Sequence, residues 1–136
     1  MPNLDDRVDP FDLEEESELT DEELEQFKEL LQTERQKIVH RLQRHMGDAL
    51  EDDSGPGDEV DLANRQVERV YHMKIADKER KLLTQIDHAL NKFESGEYGI
   101  CEGNGEVIRR KRLQMRPWTR YSIQYKEQLE RQRRKH

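Results

Sequence analysis

The 136-residue chain has one cysteine, Cys101, and only 6% aromatic residues. A lone cysteine excludes an intramolecular disulfide and cannot by itself supply a structural zinc site, which takes four ligands. Long hydrophobic runs are missing as well. No stretch approaches the roughly 20 apolar residues of a membrane helix, and the opening segment is acidic rather than a basic region leading into an apolar one. The expectation is a cytoplasmic protein with no membrane partner. Apolar residues are scarce, 32% of the chain against 40% charged, and such compositions border on those that stay disordered. So little apolar surface does not fill one globule of this length. It suits a long helical hairpin with a narrow seam, helped by one small satellite module.

What is abundant is charge, and it is sorted along the chain. Residues 1–30 carry 13 acids and 2 bases, whereas residues 109–136 carry 11 bases and 2 acids, within a net charge of −7. Such separation implies either that the acidic end folds near the basic end or that the basic end meets an anionic partner.

Residues 1–19 read as an irregular acidic arm with Val8, Phe11, Leu13 and Leu19 as its apolar anchors. Thr20-Asp21-Glu22-Glu23 is a capping box, so a helix starts there. Leu24, Phe27, Leu31, Ile38, Leu42 and Met46 then follow helical spacing to about Leu50. The stretch 51–58, with Gly55-Pro56-Gly57, ends the helix and reverses the chain. Apolar spacing resumes at Val60, Ala63, Val67 and Val70 and continues through Leu83, Ile86, Leu90 and Phe93 to Ser95-Gly96. Residues 20–95 are thus expected to form an antiparallel coiled-coil hairpin with its tip near 51–63.

From residue 96 the character changes. Gly96, Gly99, Gly103 and Gly105 punctuate a short segment containing Tyr98, Ile100, Val107, Ile108, Leu113, Trp118 and Tyr121. The expectation for 96–136 is a small loop-rich module followed by a helix from about Tyr121 to Arg134. A module this small needs a metal, a disulfide or a host surface to be stable.

Asp58 and Asp61, with Ala63, fall at the junction of turn and second helix. Asp is favoured at N-cap and first-turn positions for local reasons, since unpaired amides and the positive dipole end lie there. The functional alternative is a pair of carboxylates on a thin projection, acting inside a partner's cleft.

Asp58-Glu59-Val60-Asp61-Leu62-Ala63 resembles the Asp-x-x-Asp-x-Ala tip of the DksA/TraR proteins, bacterial transcription factors that bind RNA polymerase. The four zinc cysteines of that family, in C-x2-C-x17-C-x2-C spacing, fall on Cys101, Asn104, Ser122 and Tyr125. Gly105, Ile108, Arg112-Leu113 and Arg116-Pro117 resemble the elements between them, as does Lys78-Glu79-Arg80-Lys81-Leu82 on the second helix. The likeness spans about residues 20–130. Three of the four zinc positions lack a thiolate, so a zinc-finger-like module without zinc is expected. Asn104 before Gly105 suits a tight turn and pairs with loop amides, while Tyr125 and Trp118 take over the organising role by packing.

The resemblance implies a non-enzymatic regulator, a monomer that inserts its coiled-coil tip into the secondary channel of RNA polymerase and modulates initiation. Asp58, Asp61 and Ala63 would be its tip residues, and no cofactor is expected. Some family members bind guanosine tetraphosphate, the effector of the stringent response, through basic residues matching Arg116 and Lys126. A further basic position of that set falls on Gln85. The basic run Arg109-Arg110-Lys111-Arg112 invites a nucleic-acid reading, but regular aromatic platforms are missing and no specific nucleic acid is expected. No nucleophile and base pair supports an enzyme. The competing class is a coiled-coil adaptor or nucleic-acid-associated stress protein acting through the basic C-terminal module.

Overall fold

The computed structural model describes residues 17–50 and 58–135, with the side chains of 48–50 left aside. Most of the expected acidic arm and most of the reversing turn lie outside these residues. The described chain forms four helices: α1 (Asp21–Leu50), α2 (Glu59–Ser95), α3 (Arg110–Met115) and α4 (Ile123–Arg134). The expected mainly helical class with a long antiparallel hairpin is what the protein adopts.

Local chemistry sets the helix ends. Thr20 Oγ1 accepts from the Glu23 amide at 3.2 Å, and Glu23 Oε1 accepts from the Thr20 amide at 3.2 Å, closing the capping box. Asp21, Glu22 and Glu23 also face the positive end of the α1 dipole. Asp58 caps α2, its Oδ1 accepting from the Asp61 amide at 2.8 Å. Beyond Ser95 the chain leaves helix at Gly96, whose φ of 74° is the left-handed conformation that helix C-termini require.

By contacts the chain divides into two compact units, one joining the residues up to Leu31 with those from His88 onward, the other formed by Gln32–Asp87. In the second unit the two helices run antiparallel. Arg35 bonds Asp87 at 2.7 Å and Arg41 bonds Glu79 at 2.9 Å, so positions rise on one helix as they fall on the other. These partly exposed pairs are worth little energy singly and serve to fix register. Ile38, Ala76 and Ile86 are its buried residues. Glu34 and Asp77 pair within their own helices, with Lys37 and Arg80 respectively.

The first unit has the larger core: Phe27, Leu31, Ala89, Tyr98, Cys101, Ile108 and Leu113 are buried. Tyr98 stacks on Phe93 with ring centroids 4.1 Å apart, tilts against Phe27 at 5.9 Å, and donates its hydroxyl to the Pro117 carbonyl at 2.9 Å. Ile100 and Val107 form an isolated antiparallel bridge. The expected loop-rich start of the 96–136 module contains α3, whose six residues bury only Leu113 and have no side-chain cap. The last helix starts two residues later than expected, because Ser122 is its N-cap and accepts from the Tyr125 amide at 3.2 Å.

Candidate functional site

Three groups of residues stand out as candidate sites, and each lies within one unit. At the start of α2, Asp58, Asp61 and Ala63 are all exposed. The Asp58 carboxylate spends one oxygen on the cap, so the local role is real. Val60 and Leu62 between them are 66% and 46% exposed, so this helical turn shows water two carboxylates and an apolar face together.

In the first unit, the four positions that the zinc spacing selects stay close without thiolates. Asn104 Nδ2 approaches Ser122 Oγ at 3.4 Å, and Ser122 caps the helix that carries Tyr125. Asn104 Oδ1 accepts from the Glu106 amide at 3.0 Å, the local turn that Asn favours. The turn is tied further by Cys101 and Glu106, whose amide and carbonyl meet at 2.7 Å. Gly103 leaves room for the Tyr125 ring. A Cβ there would lie 2.1 Å from the Tyr125 ring. Tyr125 thus packs flat on the turn and tilts against Tyr121 at 5.3 Å, whereas Trp118 is only half-buried and belongs to no aromatic pair among the described residues.

Burial pushes the Cys101 thiol up, but the amides of Ser122, Asn104 and Gly103 and the Ser122 hydroxyl outweigh it and hold the thiol below its ordinary range. The ring of amides therefore still favours sulfur anion, as it would around a thiolate ligand. Among the described residues no group of three or more His, Cys, Asp or Glu is arranged to hold a metal ion.

Glu102 is the charged centre of this turn, and no local sequence pattern marks it. It pairs with His88 and Arg120 and lies 3.4 Å from Lys92 Nζ, a lysine with only 8% of its side chain exposed. Partial burial raises its pKa, but the bonds from His88 and Arg120 and the charge of Lys92 win and lower it to about 2. The pairing joins residues far apart in sequence, which is why local patterns do not reveal it. A second clasp links Arg110 to Glu23, with a bond of 2.9 Å from Nη2 and further bonds to Ser17 and the Glu18 carbonyl. The Arg110 bond lowers Glu23 to about 2.

The third group is a cleft of about 640 Å³ between α3 and the start of α4. Arg116 and Lys126, singled out in the sequence, both line it, together with Arg109, Lys111 and Arg112. Burial and then the neighbouring Arg116 charge pull the Arg112 guanidinium below its ordinary pKa, a sign of crowded positive charge. Ser122 and Gln124 add neutral donors, and Met115 and Ile123, 82% and 51% exposed, give the cleft an apolar side. Such a lining suits a flat apolar group bearing several phosphates. Gln85 is exposed on α2 in the other unit.

These features define a helical-hairpin protein with two exposed carboxylates at the start of α2 and a cation-rich module. The sequence pattern described as "DnaK suppressor protein DksA, N-terminal domain" matches residues 23–93. Over 123 residues, covering 90% of this chain and 87% of the relative, it is 32% identical to the RNA polymerase-binding transcription factor DksA of Caulobacter vibrioides. The solved structure of transcription factor DksA2 from Pseudomonas aeruginosa superposes with a TM-score of 0.73 at 35% identity, covering 81% of this chain and 84% of that one. An RNA polymerase binding protein and transcriptional regulator from Chlamydia trachomatis gives 0.52 at 30% identity, with 84% and 94% covered. The chain belongs to the DksA family.

Proposed function

We propose that this chain binds bacterial RNA polymerase and regulates transcription, entering the secondary channel with the Asp58–Ala63 end of its hairpin. The observation that carries the reading is the exposed pair of carboxylates at the turn end of an antiparallel hairpin, in a chain 32% identical to a relative named for polymerase binding. A two-helix projection is thin enough to enter a channel, and no described residue is buried between Asp58 and Ile75. The tip's carboxylates act through charge on the polymerase side, and Ala63 offers a small packing face. Lys74, Lys78 and Lys81 are exposed on α2 and suit an acidic channel rim.

The same proposal gives the Arg116 and Lys126 cleft to guanosine tetraphosphate or a similar polyphosphorylated nucleotide, in a degenerate knuckle module that works without zinc. Its cationic lining supports phosphate, and Met115 and Ile123 support the base. With Gln85 in place of a basic residue, this cleft carries the nucleotide without help from that position.

Replacement of Asp61 by Asn leaves polymerase affinity within a few fold while abolishing the effect on initiation at sensitive promoters, read by in vitro transcription. Equal loss of binding and effect makes the tip a docking element instead. The competing reading, an adaptor or nucleic-acid-associated protein working through residues 109–136, predicts that Asp61→Asn is silent and that truncation of 109–136 alone abolishes function.

A further inference from the structure

Two histidines outside all of these groups face each other across the hairpin. His45 on α1 and His72 on α2 bring their Nδ1 atoms to 3.0 Å, with ring centroids 5.3 Å apart. Both rings are half-buried, and Tyr71 packs edge-on against His72 at 5.6 Å. A contact between two Nδ1 atoms is a hydrogen bond only when one carries the proton and the other presents its lone pair. Two imidazole nitrogens held at this distance by two different helices are also set for a different occupant of the shared proton's place.

We propose that His45 and His72 form a two-point site for a late first-row divalent ion, Zn2+, Ni2+ or Cu2+, which clamps α1 to α2. Metal–nitrogen bonds of about 2.0–2.1 Å separate two nitrogens by about 3.3–3.4 Å in a tetrahedral shell. In a square-planar shell the separation is about 2.9 Å. The observed 3.0 Å lies between these values, so ligation needs only a small ring adjustment. Imidazole is a ligand of the right softness for these ions and a poor one for Mg2+ or Ca2+. No third side-chain ligand stands beside the pair among the described residues, so water completes the shell and binding is weaker than at a four-ligand structural site.

The position gives the clamp a purpose. Beyond Ile38 on α1 and Ala76 on α2 no described residue of the hairpin is buried. Among the described residues no fully enclosed apolar layer joins the helices there, and Val67, Val70 and Met73 are each at least half exposed. A cross-helix ligand pair therefore acts where packing is thinnest.

The test is titration of the full, tag-free chain with NiCl2, CuCl2, ZnCl2 and MgCl2 at pH 7.5, followed by calorimetry and by the thermal midpoint. The expected result is one Ni2+, Cu2+ or Zn2+ per chain, an ion-dependent rise in midpoint, and no response to Mg2+. His45→Gln and His72→Gln should each weaken uptake by roughly tenfold or more and abolish the rise. Cys101→Ser should leave both intact. Far-ultraviolet dichroism of the two His variants checks that α1 and α2 still form. Unchanged uptake in folded His45→Gln and His72→Gln, or loss of uptake in Cys101→Ser alone, overturns the proposal. Polymerase is not in the assay, so the result is independent of the transcriptional reading.

Discussion

Glu102 shows how this turn is held by side chains of different origin. His88 and Lys92 come from α2, and Arg120 from the segment before α4. Its folded pKa of about 2 lies below the ordinary value of 4.5, so the folded protein binds fewer protons than the unfolded chain. The stabilisation is complete above about pH 4.5 and is lost as pH falls toward 2. Glu23, held at about 2 by Arg110, adds to the same window. Glu102→Gln therefore lowers the thermal midpoint at pH 7, and its deficit against wild type shrinks as the pH is taken from about 4.5 to about 2. A deficit independent of pH would mean that shape rather than charge matters at this position. Gly103→Ala tests the packing of the same turn. The added Cβ meets the Tyr125 ring at 2.1 Å, so the ring must leave. A loss of about 1–3 kcal/mol is expected in denaturant melts, with a changed near-ultraviolet dichroism signal from the tyrosines.

At the scale of elements, the start of α2 separates two roles of one residue. Asp58 caps the helix, and Asn caps equally well without the charge. Asp58→Ala should cost about 1 kcal/mol of stability, whereas Asp58→Asn should leave the melt nearly unchanged while removing one of the two tip charges. The cap was legible in the sequence because capping is local, as was the Thr20 box. The α1 and α2 stripes were legible because their apolar residues repeat at helical spacing. By contrast, α3 was not, since Arg109 supplies no capping side chain and a single buried Leu113 makes no pattern. Arg116 and Lys126 were picked out by resemblance, but their union with Arg109, Lys111 and Arg112 in one cleft depends on how α3 and α4 meet. The partners of Glu102 and the His45–His72 contact are likewise products of tertiary pairing, invisible to any window along the chain. For the turn itself, a strong chelator is expected to leave helicity and melting midpoint unchanged in the His45→Gln chain, where the hairpin pair is broken. Chelator-induced unfolding would mean that a metal does structural work there.

Over the whole molecule, the sorted charge of the sequence has a partial explanation in the fold. Arg110 of the basic run meets Glu23, Ser17 and Glu18 at the acidic end, so part of the opposite charge is used internally. Arg120 is likewise spent on Glu102, while Arg109, Lys111, Arg112, Arg116 and Lys126 line the cleft and Arg131, Arg133 and Arg134 stand in the last turn of α4. That leaves an acidic tip and a cationic module in one chain, the combination a protein needs to place carboxylates in one partner site and hold phosphate at another. Binding to an anionic partner through the module should weaken steeply with salt, whereas the hairpin's apolar seam should not. The most direct test is binding of the purified chain to bacterial core RNA polymerase, with and without a competitor that occupies the secondary channel. Entry of the hairpin into the channel predicts saturable binding that the competitor displaces. Absence of binding at low salt, or binding indifferent to the channel competitor, would contradict it.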